Sequence, residues 1–451
     1  MQYPKNKNPR SVGACTKTYP LSVLSRSPNI FRALPLLLLW LLSWPSSGTD
    51  ISSPSAPSPS NQEFLDRFWQ RPLPKQGTAR ISPDLSDRPP LSSETCRLCH
   101  PRQYADWTGS RHAQAMGPGA IGQFFPMSEE ERQACLDCHA PLHEQSHALT
   151  QYLDDSQWEA SREHSAIAHA KRPLHEEGVT CGVCHIRAGR WHGPPRRRDP
   201  LSPEIMAAFP HRGWVSTDAF EDSRFCAACH QFPPDGLRLD GKLLEDTYRE
   251  WRASPQARQG MHCQTCHMPD RRHLFRGIHD PATARKGTDA GSMSFSVSKG
   301  AVSVLVFLAN TGTGHRLPTY VTPAIRLEAY QSDANGASIP GTREIQWVAR
   351  SVNLDLTKEY FDTRLSPGQT ATLAYQKPRA PRADTLVTRV YVEPDALYTR
   401  IYEALLELEP DGEGAVLLRE ALAESKASGF PLYEKRYLLP KDSPARPESQ
   451  R

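Results

Sequence analysis

Ten of the chain's 11 cysteines stand in five C-x-x-C pairs, and a histidine directly follows every pair: Cys96/Cys99/His100, Cys135/Cys138/His139, Cys181/Cys184/His185, Cys226/Cys229/His230 and Cys263/Cys266/His267. Random placement would give on the order of 0.01 such motifs in a chain of this composition. Zinc ribbons join two pairs about 15–20 residues apart to supply four ligands. Here successive pairs begin 39, 46, 45 and 37 residues apart, and zinc gives no reason for a histidine after every pair. A dithiol redox centre needs one pair, not five. The remaining chemistry is attachment of c-type haem. Two cysteines one helical turn apart can form thioethers to one porphyrin edge, and the adjacent histidine reaches the iron from its proximal face. The motifs therefore predict five covalently attached haem c groups, with His100, His139, His185, His230 and His267 as iron ligands.

The elements that must position these groups follow from the rest of the chain. At 451 residues there is room for two or three domains, yet only 38% of residues are hydrophobic and 41 are proline, with a mean hydropathy of -0.58. That is poor material for one large apolar core. Residues 94–285 hold all five motifs at about 38 residues each, so the haems themselves must form much of the interior. Helices there should be short, the best being "LLEDTYREWRAS", where Leu243, Leu244, Thr247, Tyr248 and Trp251 share a face. An internal repeat links Trp107–Ala113 with Trp251–Ala257, with His112 matched by Gln256. From about residue 290 the apolar period becomes two. "VSVLVFLAN" (302–310), "AIRLEAY" (324–330) and "TLVTRVYVEP" (385–394) read as strands of a small β-sandwich over 290–395. Residues 396–451 read as a helical tail. The fold class is thus a mainly α and irregular multihaem domain, a β-sandwich domain and a helical C-terminus.

Haem c is attached outside the cytoplasm, and the N-terminus reads accordingly. Lys5, Lys7, Arg10, Lys17, Arg26 and Arg32 precede the apolar run "ALPLLLLWLLSW" (33–44) and the small residues "PSSG". That order predicts a secretory signal over 1–48 and a periplasmic or otherwise exported protein. An uncleaved anchor is the alternative, and the only route to membrane attachment. Cys15 falls in this segment. A Pro/Ser-rich extension follows over 49–93, with one amphipathic piece around Phe64, Leu65, Phe68 and Trp69. Without the signal the net charge falls from +4 to about -2, so the pI of about 8.4 is no argument for nucleic-acid binding. The run Arg196–Arg198 reads as a solvated or propionate-pairing patch.

The motifs "C-x-x-C-H-x3-Y-x2-W-x2-S-x-H-A" (Cys96 to Ala113), "EGVTCGVCH" (177–185), "SRFCAACHQF" (223–232) and "YREWRASPQARQGMHCQTCHMP" (248–269) resemble the multihaem cytochrome c family. That family includes the tetrahaem cytochrome of ammonia oxidisers and, more distantly, hydroxylamine oxidoreductase. The resemblance covers residues 94–285 and extends to "NTGTGHRLPT" (310–319), a phrase of C-terminal β-domains in related proteins. It implies distal histidines in the "S-x-H-A" helix, at His112, and in "HLFRGIH", at His273 and His279. It also implies a ligand loop holding His211. His192 and His315 complete the set of candidates. His112 cannot easily serve its own haem, because twelve helical residues carry it about 18 Å from His100, so it should reach a neighbour. His315 either projects from the sandwich over a haem or sits in an ordinary strand connection.

Two functions remain. One is an electron-transfer cytochrome of a respiratory pathway, its partners other cytochromes or a quinol-oxidising complex, with no catalytic residue. The other is an oxidoreductase acting on a small nitrogen or sulfur compound at one five-coordinate haem. No C-x-x-C-K site of the nitrite-reductase type is present, and octahaem enzymes have three more motifs; both departures favour the carrier.

Overall fold

The computed structural model describes residues 59–69, 91–154 and 172–440. The expected signal over 1–48 and most of the 49–93 extension lie outside the described residues. The part of that extension that is described is no mere linker. Helix α1 (Pro59–Phe68) buries Phe64 and Leu65, with Trp69 just beyond, against Leu91, Leu142, Val183, Ile186 and Ala219 of the motif region.

The motif region is built from short helices, as the sequence reading expects. α2 (Pro101–Thr108) and α3 (Pro118–Phe124) each start on a proline at the first helical position, where its missing N–H costs nothing. α4 (Glu129–His139) carries the second motif and opens on a capping box between Ser128 and Glu131. α5 (His143–Asp154) follows. The helix expected from Leu243 is shorter, Thr247–Arg252. Asp240 and Gly241 both take positive φ (49° and 75°), closing a tight hairpin that pairs Arg238–Leu239 with Lys242–Leu243. An Asp-Gly turn claims the leucines that period alone assigned to the helix.

Eight strands form the sandwich: β1 (Thr288–Ser298), β2 (Ala301–Asn310), β3 (Ala324–Ser332), β4 (Glu344–Val352), β5 (Glu359–Asp362), β6 (Thr370–Pro378), β7 (Thr385–Glu393) and β8 (Phe430–Leu438). One sheet runs β5-β4-β3-β7-β8 and the other β6-β2-β1. Alternate residues Val302, Val304, Val306 and Leu308 of β2 face Ile325, Leu327, Leu386, Val390 and Val392 across the interface, which is what period two dictates. The expected strands lie in β2, β3 and β7. The tail, however, is not wholly helical. α6 (Ala396–Leu408) and α7 (Glu413–Ala427) are followed by β8, which joins β7 at the edge of the larger sheet. Tyr433 and Tyr437 of β8 bond the Ser292 hydroxyl on β1 at 2.6 and 2.7 Å.

The helices return to the motif region. α7 lies on α3, where a Cβ at Gly122 would fall 3.0 Å from Leu418 and 3.1 Å from the Gly414 carbonyl, so glycine permits the close approach. Leu417 joins Met116, Ile121 and Phe124 in one cluster beside the second motif. The sandwich is tied down separately. Arg350, 1% exposed, donates to Glu359 and to the carbonyls of Leu239, Lys242 and Leu243 in the hairpin.

Candidate multihaem centre

Every C-x-x-C-H segment is helical: Cys181–His185, Arg224–His230, Cys263–His267, the end of α4, and the turn in which the His100 amide bonds the Cys96 carbonyl at 2.8 Å. The two sulfurs of each motif thus lie one turn apart on one face. All ten cysteines and all five histidines line a single cavity of about 3140 Å³. That is roughly three to ten times an ordinary small-molecule site, a space suited to several macrocycles.

Across this cavity the histidines stand in pairs. Ring centres are 6.4 Å apart for His100 and His211, 6.2 Å for His230 and His112, 6.2 Å for His185 and His273, and 6.4 Å for His267 and His315. An imidazole nitrogen sits about 2.0–2.1 Å from a bound metal and a ring centre roughly 1.1 Å behind it, so two rings on opposite faces of one metal stand about 6.3 Å apart. The residues fit iron between them. His112 therefore faces the fourth motif, not its own.

Six of these imidazoles, and that of His139, are aimed by their other nitrogen. Nδ1 of His139, His185 and His267 bonds the carbonyls of Ala115, His192 and Arg276 at 2.8, 2.8 and 2.6 Å. Among the distal set, His211, His273 and His315 do the same to Gly213, Arg271 and Arg316 at 2.9, 3.1 and 2.8 Å. His230 bonds the Tyr320 hydroxyl at 2.6 Å. Each bond fixes the tautomer that leaves Nε2 free to bind metal. Burial, reinforced by neighbouring histidines, lowers the pKa of His112 to about 3 and of His230 to about 4, and burial lowers that of His185 to about 4. The neutral ring is the ligating form.

The internal repeat extends beyond the pattern Trp-x-x-Ser-x-x-Ala. Trp107 Nε1 donates to Val179 O, two residues before Cys181, at 2.8 Å; Trp251 Nε1 donates to Met261 O, two residues before Cys263, at 2.9 Å. The hydroxyl of Ser93 accepts from the Cys181 amide and that of Ser223 from the Cys263 amide, at 3.3 and 3.0 Å. Motif one is thereby joined to motif three and motif four to motif five by the same fittings. Glu177 completes the first joint, accepting from Ser92 Oγ and Ser93 N at 2.5 and 2.7 Å while buried. These serines, each three residues before a cysteine, are a signal the sequence carried without being read.

Two candidates are placed otherwise. The His192 ring packs against Phe64 and Phe68 of α1, 5.2 and 5.7 Å away, lines the cavity with both ring nitrogens unpaired, and is not one of the four opposed pairs; its carbonyl accepts from His185. His279 gives Nε2 to Asp395 Oδ1 at 2.9 Å, where Arg111 also binds; the nitrogen that would ligate is already committed. No histidine ring stands opposite His139 among the described residues, and His164 and His169 lie outside them. His175 was not anticipated. It is buried, lines the cavity, leaves Nε2 without a hydrogen bond and packs its ring 4.9 Å from Tyr152.

His112 is held by a fragile turn. Its carbonyl accepts from the Val179 amide at 2.9 Å, and Gly178 beside it has φ of 64°, with a Cβ there only 2.4 Å from that carbonyl. Gly178→Ala is expected to cost about 2–3 kcal/mol, from left-handed strain plus the clash, and to displace His112 from His230. Denaturant unfolding and EPR of the holoprotein check this; wild-type stability together with unchanged low-spin signals would refute it.

No curated protein matches the chain. Residues 95–186 match the family described as cytochrome c554 and c-prime. A penta-heme cytochrome c552 from Thermochromatium tepidum superposes with a TM-score of 0.53 at 19% identity, over 77% of this chain and 99% of that one. The fold is that of a multihaem c-type cytochrome. The family match spans the first three motifs and stops after His185. Even residues 1–285 together are 285 of the 451, short of the 77% covered, so the superposition runs on into the sandwich region.

Proposed function

We propose that the chain is an exported electron-transfer cytochrome holding five covalent haem c groups, related to the cytochromes of ammonia oxidisers and working between protein donors and acceptors of a respiratory pathway. The observation that carries this reading is the set of four opposed histidine pairs at 6.2–6.4 Å. A ligand on both faces suits outer-sphere electron transfer and leaves no coordination site for a substrate. In this reading the ten cysteines anchor the haems, His100, His139, His185, His230 and His267 bind iron proximally, and His211, His112, His273 and His315 bind it distally. Each haem, when bound, supplies a one-electron couple whose potential follows axial ligation, hydrogen bonding and burial. Export rests on the basic, apolar and small-residue order of the N-terminus and on where haem c is attached.

His139 supports a second reading, because among the described residues it has no opposed imidazole: an oxidoreductase acting on a small nitrogen or sulfur compound at that haem. One experiment separates the two. Intact mass of the matured holoprotein should exceed the polypeptide by five haems, and the Soret band should be unmoved by CO or nitrite. A mass short by one or more haems sinks the pentahaem assignment. A full count with one haem that binds CO and turns over hydroxylamine or nitrite moves the protein to the enzyme class.

A further inference from the structure

We propose that Tyr320 sets the reduction potential of the haem held by Cys226, Cys229 and His230 apart from the potentials of its neighbours. The inference rests on the haem assignment above and concerns which of this chain's side chains tunes one centre. Of the seven axial histidines with an Nδ1 partner, six use a backbone carbonyl; His230 alone uses a side chain, the Tyr320 hydroxyl at 2.6 Å.

The difference matters because the acceptor behind a ligating imidazole controls how much electron density its other nitrogen gives the metal. An amide oxygen is a strong acceptor and favours ferric iron. A neutral phenol shares its lone pair with its ring and accepts more weakly, so the ferric state of this haem gains less. The expected consequence is a midpoint more positive than those of the carbonyl-anchored haems in comparable surroundings.

Tyr320 is also rigidly placed. It belongs to the β2–β3 connection, residues 311–323, that carries His315. Leu317 and Leu365 exchange backbone bonds of 2.8 and 2.9 Å. Thr319 donates to Glu250 at 2.9 Å, shares a 2.8 Å bond with Thr247, and gives its carbonyl to Arg364 at 2.8 Å. The Thr247 hydroxyl also interacts with that of Tyr320 and donates to Glu245 at 2.9 Å. One loop of the sandwich thus bears on two haems, opposing His267 with an imidazole and backing His230 with a phenol.

The test is Tyr320→Phe in the full-length holoprotein, followed by spectroelectrochemical titration and EPR. With the acceptor gone, one of the five Nernst components should move to a more positive potential and one low-spin g-tensor should change, while the other four components keep their midpoints. An unmoved titration, or a uniform shift of all components, overturns the proposal. A wild-type mass lacking haem is a separate failure, that of the cytochrome reading itself. If Tyr320→Phe does not mature with five haems, Thr247→Val keeps the ring and removes a hydroxyl that interacts with that of Tyr320. It must then move that same single component, and unchanged midpoints there also overturn the proposal.

Discussion

His315→Ala is expected to turn one low-spin haem into a high-spin, CO-binding haem while the protein still carries its full complement of haems. His315 stands 6.4 Å from His267 with the two rings 16° from parallel, and its Nδ1 is tied to the Arg316 carbonyl at 2.8 Å. Asn310 donates to the His315 carbonyl at 3.0 Å, so the backbone beneath the ring is fixed from the end of β2. In the proposed assignment that haem is anchored by Cys263 and Cys266, which the substitution does not touch. An alanine leaves a gap on the distal face. A high-spin ferric EPR signal integrating to one haem, and one equivalent of CO bound after reduction, are the expected readings. Unchanged EPR and no CO binding would return His315 to the role of an ordinary strand connection and leave the sandwich without a ligand in the array.

How far such ligands were legible in the sequence depends on the range of the interaction that places them. The five proximal candidates are local readings, because the cysteine pair and the histidine lie on one short helix and spacing alone ties them together. Distal ligands are not local. His273 and His279 stand six residues apart in "HLFRGIH" with nothing in the spacing to rank them. The ranking comes from Asp395, 116 residues on, which takes the Nε2 of His279, and from the short tether of His273 to Arg271. The packing of Phe64 and Phe68 of α1 on His192, 128 and 124 residues earlier in the chain, is likewise beyond any local pattern. The strands with strict alternation, β2 above all, were legible because one face of each is buried. β8 was not, since in "FPLYEKRYL" the alternation is blurred by a proline and by tyrosines whose hydroxyls reach Ser292.

The second large effect is expected at Arg350. Arg350→Leu should lower the unfolding free energy by about 3–5 kcal/mol, the cost of removing one partner from a buried ion pair and stranding the other. Arg350 Nε holds Glu359 at 2.9 Å, and its two terminal nitrogens reach the Leu243, Lys242 and Leu239 carbonyls at 2.6, 3.2 and 3.3 Å. Leucine would leave those carbonyls without the guanidinium, and Glu359 would keep only Lys242, at 2.5 Å. The loss falls on the joint between the sandwich and the Asp240–Gly241 hairpin, so its consequences should reach the haems through Tyr320 and His315 while sparing the pairs His100–His211 and His185–His273. Arg350→Lys should recover only part of the stability, because one ammonium cannot span a carboxylate and three carbonyls. Denaturant unfolding followed by tryptophan fluorescence measures the first effect, and EPR of the folded variant the second. A loss below about 1 kcal/mol, the range of a surface pair, would mean that the sandwich is held by its apolar contacts and that Arg350 only fills the space between the two parts.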